Sequence, residues 1–488
     1  MTSGAPDALQ EVPDRVNVHV GGYGPGPTFE IQPLIFCFES APVVGFSPRA
    51  ALMDRKQEID VLIIGAGAAG LAAWRELHSA GLRVVLLEAR ERIGGRILTD
   101  YSTASPIELG AEFVHGNPKA VSPILEKARL EVVESPDSRM FFDQGRLSPC
   151  EEYWEIIQAV NGQIDSAGDI AYEDFLKEVE APALAKRMTK SYVEGFNAAR
   201  AELISTRAIA IADRAADING ERQFRIKAGY TSLVEWLARG LPSEALHLQT
   251  TVRKIHWEQS RVEVLADTPD GECIFSAVRL VVTVPLGVLK ASSGALGAIR
   301  FDPALSGKEA ALQHLEVGHV IKFLICFKER FWESDARFAF VISIDESIPV
   351  WWTQEPLSSN VLTGWAGGKA GEKLVNLSRE ELLNRAIDSL SRIFAKSADW
   401  LHGCVDKIYY HDWNNDPFCR GAYSYPKVGG LQGAQILSEP VDDTIFFAGE
   451  ATDFRGAFGT VHAALNSGIS AAQDITRVFR KSAGVRRI

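Results

Sequence analysis

One stretch restricts the possible folds more than any other: IDVLIIGAGAAGLAAWRELHSAGLRVVLLEARERIGGR, residues 59–96. Residues 60–64 and 83–87 are apolar runs of strand length, and residues 69–80 carry Leu and Ala at helical spacing. Between the first strand and the helix stands Gly65-x-Gly67-x-x-Gly70, and Glu88 closes the second strand. In this setting the glycines have separate tasks. Gly65 permits a tight turn, Gly67 lets the backbone approach a pyrophosphate, and Gly70 allows the helix to lie close on the sheet. The free N–H groups at the helix start attract phosphate, and an acid at the position of Glu88 grips a ribose hydroxyl. A parallel, doubly wound α/β unit that binds a dinucleotide is predicted.

The motif alone does not choose between NAD and FAD. The residues that follow, EARERIGGR, place Arg90, Gly94, Gly95 and Arg96 directly after the ribose acid. They supply a second phosphate-facing turn, suited to a cofactor extended across the domain. No second GxGxxG occurs in the chain, which points to electrons entering from the substrate rather than from a nicotinamide.

A second feature is chemical. Of the eight residues Val320 to Phe327, seven are apolar, the pattern of a strand covered on both faces, yet the third is Lys322. A buried ammonium needs a partner or it loses its proton. Either it faces a polar site, or it snorkels from a strand end or pairs with a buried acid.

Composition sets the outer bounds. A chain of 488 residues is too long for one core. Its net charge of −12 argues against nucleic acid or anionic membrane as partner. Six scattered cysteines without a CxxC pair suit a reduced compartment, and no run reaches the roughly 18 apolar residues of a membrane span. A soluble, cytoplasmic protein is expected. Residues 1–56 read as an N-terminal extension to which no role is assigned.

The run 60–96 resembles the opening of the flavin-containing amine oxidases, which include monoamine oxidases, polyamine oxidases and lysine-specific histone demethylases. Four further stretches agree in order: IELGAEFVHG (107–116), VVTVPLGVLK (281–290), DWNNDPFCRGAYSY (412–425) and IFFAGEATDFRGAFGTVHAALNSG (445–468). The resemblance covers about residues 58–480. It implies a Rossmann-like, glutathione-reductase-like FAD domain from residues 57–135, 222–295 and 432–483. An α+β substrate domain from 136–221 and 296–431 is interleaved with it. It assigns to the cofactor Gly65, Gly67, Ala69, Gly70, Glu88, Ala89, Arg90, Gly94, Gly95, Arg96, Gly110, Ala111, Glu112, Val252, Trp413, Gly449, Glu450, Thr460 and Val461.

By the same resemblance Lys322 reaches the flavin through a bound water, and Glu450 accepts hydrogen bonds from the ribityl–phosphate region. Tyr423 forms one aromatic wall beside the substrate amine. Thr460 stands where monoamine oxidases carry the second aromatic wall, and Trp365 and Phe113 are candidates to line the pocket. Ala422 occupies the place of the cysteine that bonds the flavin in monoamine oxidases, with Cys419 out of register, so non-covalent FAD is expected. Residues 178–213 read as helical, 252–267 as a hairpin, and the segment from Thr460 as a helix lacking the apolar anchor of monoamine oxidases. The implied reaction converts a small-molecule amine to an imine, with O2 as acceptor and hydrogen peroxide as product. An L-amino-acid oxidase or other flavin oxidoreductase on the same scaffold, such as a carbon–carbon desaturase, is the alternative; the amino-acid oxidase requires an arginine for the substrate carboxylate that the sequence does not locate. A flavin-binding partner protein without turnover is the other.

Overall fold

The computed structural model describes residues 59–485 except 166–167, 221 and 335–337, so the expected extension at 1–56 lies outside the described residues. The chain is of mixed α/β class and centres on two large sheets.

The first sheet contains the signature stretch. Its parallel part runs Leu246–His247, Val84–Leu87, Ile59–Ile64 and the C-terminal half of Gly271–Val282, with Ile445–Phe447 added on the far side of residues 280–282. The N-terminal half of Gly271–Val282 pairs instead with Arg261–Thr268, which pairs antiparallel with Thr251–Glu258. The hairpin expected at 252–267 is therefore an extension of the nucleotide-type sheet. Alternate residues of one strand enter different cores. Val61 and Ile63 pack with the helix Ala68–Ser79, whereas Leu62 and Ile64 pack with Leu280, Val282 and Phe447 on the opposite face. Burial on both sides explains why these strands read as unbroken apolar runs.

Close contacts fix the helices. A Cβ on Gly70 would stand 1.9 Å from the Gly65 carbonyl oxygen, so the helix Ala68–Ser79 sits on the turn at a distance only glycine allows. The long helix Val461–Val485 crosses the same helix, and a Cβ on Gly468 would come within 2.2 Å of the Ala69 carbonyl oxygen.

The second sheet has seven strands in the order Val405–Tyr410, Val320–Phe327, Val361–Gly367, Val350–Thr353, Phe340–Ile342, Arg139–Asp143 and Arg146–Pro149. One face of Val320–Phe327 presents Ile321, Phe323, Ile325 and Phe327 to a core covered by the helix Arg379–Phe394. That helix opens with a capping box, in which Ser378 Oγ accepts from Glu381 N and the Glu381 carboxylate accepts from Ser378 N. The other face carries Lys322.

The helical expectation for residues 178–213 resolves into two helices, Ala183–Phe196 and Thr206–Asn219. Between them Ala198 takes φ +51°, and Ser205 starts the second helix by accepting from Ala208 N at 2.9 Å. No helix of the described residues is long and apolar enough to cross a membrane.

Candidate active site

The parallel strands end in the turns that carry Gly65, Glu88, Thr283 and Gly449, and all four residues line one cavity of about 410 Å³. The cavity continues from these strand ends onto the Lys322 face of the second sheet. Every residue singled out from the sequence lines it except Gly70, which lies behind the turn in the close contact described above.

At the strand-end arm, two bare turns face each other. Gly67 bridges to Gly94, and a Cβ on Gly95 would meet the Gly67 Cα at 3.4 Å. Gly67 caps the helix Ala68–Ser79 without any side-chain acceptor, so the N–H groups of its first turn remain open to an anion. Glu88 is buried beside them. Its Oε2 accepts from Ala66 N at 2.8 Å and its Oε1 from Arg90 N at 2.9 Å, which aims the carboxylate along the slot. An uncapped helix start, a backbone slot and an oriented carboxylate together could hold the pyrophosphate and ribose of a dinucleotide. Val252 flanks this arm.

Farther along, Gly110 touches both neighbouring segments, since a Cβ there would meet the Arg96 carbonyl oxygen at 1.9 Å and the Trp413 ring at 3.3 Å. Trp413 Nε1 donates to Leu109 O at 2.8 Å. The Glu450 carboxylate, expected to serve the cofactor, has protein donors on both oxygens: Arg96 Nη1 at 2.9 Å on one, Ser424 Oγ at 2.6 Å and Gly459 N at 3.1 Å on the other. Its visible work is to tie the two C-terminal motifs to the second glycine turn.

Lys322 resolves the question its strand raised. It is 4 % exposed, its Nζ donates to Gly110 O at 3.0 Å, and it lies 2.7 Å from Glu112 Oε2. Glu112 also accepts from Arg225 Nε at 3.1 Å and Trp352 Nε1 at 3.0 Å. Burial pushes the Glu112 carboxyl up, but Lys322 and Arg225 outweigh it and hold it below the usual range. The lysine thus pairs with a buried acid and lines the cavity as well. Glu108 lies nearby, and burial pushes its carboxyl up to about 7 despite hydrogen bonds from Tyr230 N and Thr99 Oγ1.

The remaining candidates are fixed by main-chain contacts. Tyr423 Oη donates to Phe196 O at 2.6 Å, and Trp365 Nε1 donates to Gly195 O at 2.9 Å. Thr460 Oγ1 accepts from Ala463 N, capping the helix Val461–Val485 at the cavity wall. Phe113 packs against Phe340 and Trp352. Ala422 lines the cavity, whereas the buried Cys419 thiol lies 3.2 Å from Arg90 Nη2, on the strand-end arm.

Sequence reasoning missed the far lobe. Arg139, Tyr153, Trp154, Tyr192 and Phe340 line it, and His115 and His462 stand on its walls. His115 falls within a quoted motif, so its neighbourhood was readable; burial pushes its imidazole down to about 4. Arg139 sits in DSRMFFD, which carries no pattern that would mark it.

Comparison with known proteins agrees with this architecture. The profile of the family described as flavin containing amine oxidoreductase matches residues 68–190 and 171–476. Polyamine oxidase 3 of Oryza sativa subsp. japonica is 31 % identical over 85 % of the chain and 88 % of its own length. Human lysine-specific histone demethylase 2 is 30 % identical over 85 % of the chain, which spans 53 % of that protein. Among solved structures, a putrescine oxidase double mutant superposes with a TM-score of 0.73 at 23 % identity, covering 85 % of this chain and 98 % of its own. Cyclohexylamine oxidase from Brevibacterium oxydans superposes with a TM-score of 0.75 at 19 % identity, covering 87 % and 100 %.

Proposed function

The chain belongs to the flavin containing amine oxidoreductase family, and from that premise we propose that it binds FAD non-covalently and oxidises a primary or secondary amine to an imine. The observation that carries the reading is Lys322, a cation held by Glu112 on a strand buried on both faces, at the wall of a cavity that begins on a dinucleotide-type turn. A bound FAD would supply the two-electron acceptor for the C–H bond next to nitrogen, with O2 as the final acceptor and hydrogen peroxide as its product. Water converts the imine to a carbonyl compound and ammonia, or a smaller amine when the substrate is secondary.

The residues of the chain have distinct parts in this scheme. Gly65, Gly67, Gly94 and Gly95 bring backbone N–H groups to the pyrophosphate, and Glu88 takes a ribose hydroxyl. Lys322 holds a water or an anion beside the reacting carbon and stabilises negative charge that develops as oxygen is reduced. Tyr423, Trp365, Phe113 and Trp352 present aromatic surface that excludes water and so favours the neutral amine, the form with a lone pair to donate. Thr460 aims the start of the helix Val461–Val485 at the cavity, which favours a negatively charged partner there. Ala422 supplies no thiol beside Tyr423, in keeping with non-covalent attachment. In the same reading, residues 57–135, 222–295 and 432–483 form the cofactor domain, and 136–221 and 296–431 the substrate domain.

The test is anaerobic. Mixing flavin-loaded protein with amines should bleach the visible absorbance, and readmitting O2 should restore it with one peroxide per turnover. Loaded protein that no monoamine, polyamine or amino acid bleaches would sink the reading and leave a flavin-binding partner protein. Acid precipitation should leave the protein colourless; retained flavin would overturn non-covalent attachment.

A further inference from the structure

The cavity does not end at the reacting group. In the second sheet, cross-strand partners share a face, and the register links Lys322 to Trp365, Trp365 to Val350, Val350 to Ile342 and Ile342 to Phe141. Arg139 lies two residues before Phe141 and pairs with Phe340, so it stands on the same face as Lys322. Four strand spacings separate the two, roughly 19 Å across the sheet. The floor between them is apolar and aromatic: Trp365, Val350, Trp352, Phe340 and Ile342 all line the cavity.

Arg139 is 91 % buried, an unusual place for a guanidinium unless it has a task. The ring centroids of Trp154, Tyr153 and Phe340 lie 4.5, 5.2 and 5.3 Å from it. Its hydrogen bonds all come from Nη1, to the Asp137 carboxylate and to Asp137 O at 3.3 Å. Asp137 is 58 % exposed, also accepts from Trp154 Nε1, and is not among the cavity-lining residues. It holds the guanidinium from the solvent side. Nε and Nη2 donate to no described residue.

The other charges of the cavity sharpen the point. Its acidic lining residues are Glu88, Glu112 and Glu450, each already engaged by protein donors. Among the described residues no acid lines the cavity beside Arg139, and the histidines on its wall, His115 and His462, are both held toward the neutral form by burial. A second ammonium arriving there would meet the guanidinium, paired with Asp137 on its solvent side, and no carboxylate among the described cavity-lining residues.

The geometry points to Arg139 as a distal anion subsite: the substrate is an amine whose apolar middle lies along the aromatic floor and whose far end is a carboxylate. This rests on the amine oxidase reading and adds the class of substrate to it. A carboxylate can accept from two guanidinium nitrogens at once, a geometry that discriminates against both a methyl end and an ammonium end.

The experiment compares chains of equal length. The ω-amino acids, alkylamines and α,ω-diamines of the hexyl, octyl and dodecyl series are assayed for kcat/KM, and octanoate, which carries no amine, is titrated into the oxidised holoprotein while the visible spectrum is followed. Within the best series, the ω-amino acid is expected to exceed the alkylamine by roughly 10- to 100-fold, with the diamine below both. Arg139→Met should abolish that ratio through KM rather than kcat and remove the octanoate-induced spectral shift, and Arg139→Lys should restore part of both. A diamine that outperforms the ω-amino acid, or an octanoate shift unchanged in Arg139→Met, overturns the subsite; the first comparison needs no variant to fold. If no amine is oxidised yet octanoate binds through Arg139, the anion site stands and the oxidase reading fails. If amines are oxidised without preference for a carboxylate end, the oxidase reading stands and the subsite falls.

Discussion

Two cations, Lys322 and Arg225, meet on one carboxylate, and this arrangement separates what a side chain does for folding from what it does for chemistry. Glu112→Ala leaves both positive groups buried without their partner, and a loss of about 3–5 kcal/mol in denaturant unfolding is expected. Lys322→Met leaves Glu112 still bonded to Arg225 and Trp352, so the cost in stability should be smaller, while stopped-flow oxidation and reoxidation should slow by roughly 100-fold or more. Equal stability losses in the two variants would contradict this division. Glu108 offers a pH test. Burial raises its carboxyl to about 7 from the ordinary range, so the folded state favours the neutral acid. Its contribution is complete below the unfolded value near 4 and is lost as pH rises through about 7. Glu108→Gln should flatten that part of the stability–pH profile, as measured by urea titrations across the interval. At this scale the sequence disclosed Lys322 because a charge interrupts an apolar run, but its partner is 210 residues away and no local pattern joins them. Arg139 interrupts nothing and was invisible for the same reason.

Elements were legible where local burial decides them. The strands Ile59–Ile64 and Val84–Leu87 and the helix between them lie within a residue of their expected bounds, since covered strands are continuously apolar and the glycines mark the turn. The break between Ala183–Phe196 and Thr206–Asn219 was not legible, because partners from elsewhere help to set it. The Gly195 carbonyl is taken by the Trp365 indole and the Phe196 carbonyl by the Tyr423 hydroxyl, so the last turn of the first helix is capped by side chains 170 and 227 residues further along. Two substitutions test the close contacts at this scale. Gly70→Ala forces the helix Ala68–Ser79 off its turn, and Gly468→Ala pries apart the two helices that cross there. Each should cost about 1–3 kcal/mol in denaturant unfolding. Gly70→Ala should also lower the flavin-to-protein absorbance ratio of purified material, because it moves the helix start that faces the pyrophosphate slot.

At the scale of the molecule, the cavity draws its walls from segments spread between residues 64 and 464, so its occupant fastens together parts distant in sequence. Ligand at a hundredfold excess over its Kd adds about 2.7 kcal/mol to the folded state. Thermal melts of flavin-stripped protein should rise with added FAD and level off only far above stoichiometry, whereas NAD at the same concentrations should have no effect. Both the family and the layered fold could be read from five ordered motifs; what escaped was the far lobe, where packing among strands decides the lining.

The strand Gly271–Val282 belongs to two neighbourhoods at once, and this bears on how the chain is made. Residues 280–282 wait for Ile445–Phe447, which leaves the ribosome more than 160 residues later. Until then one edge of the nascent sheet has unpaired amides and carbonyls, an invitation to associate with other emerging chains. Synthesis slowed between those two points would lengthen that exposure, and chaperones that shield sheet edges should matter most in the same interval.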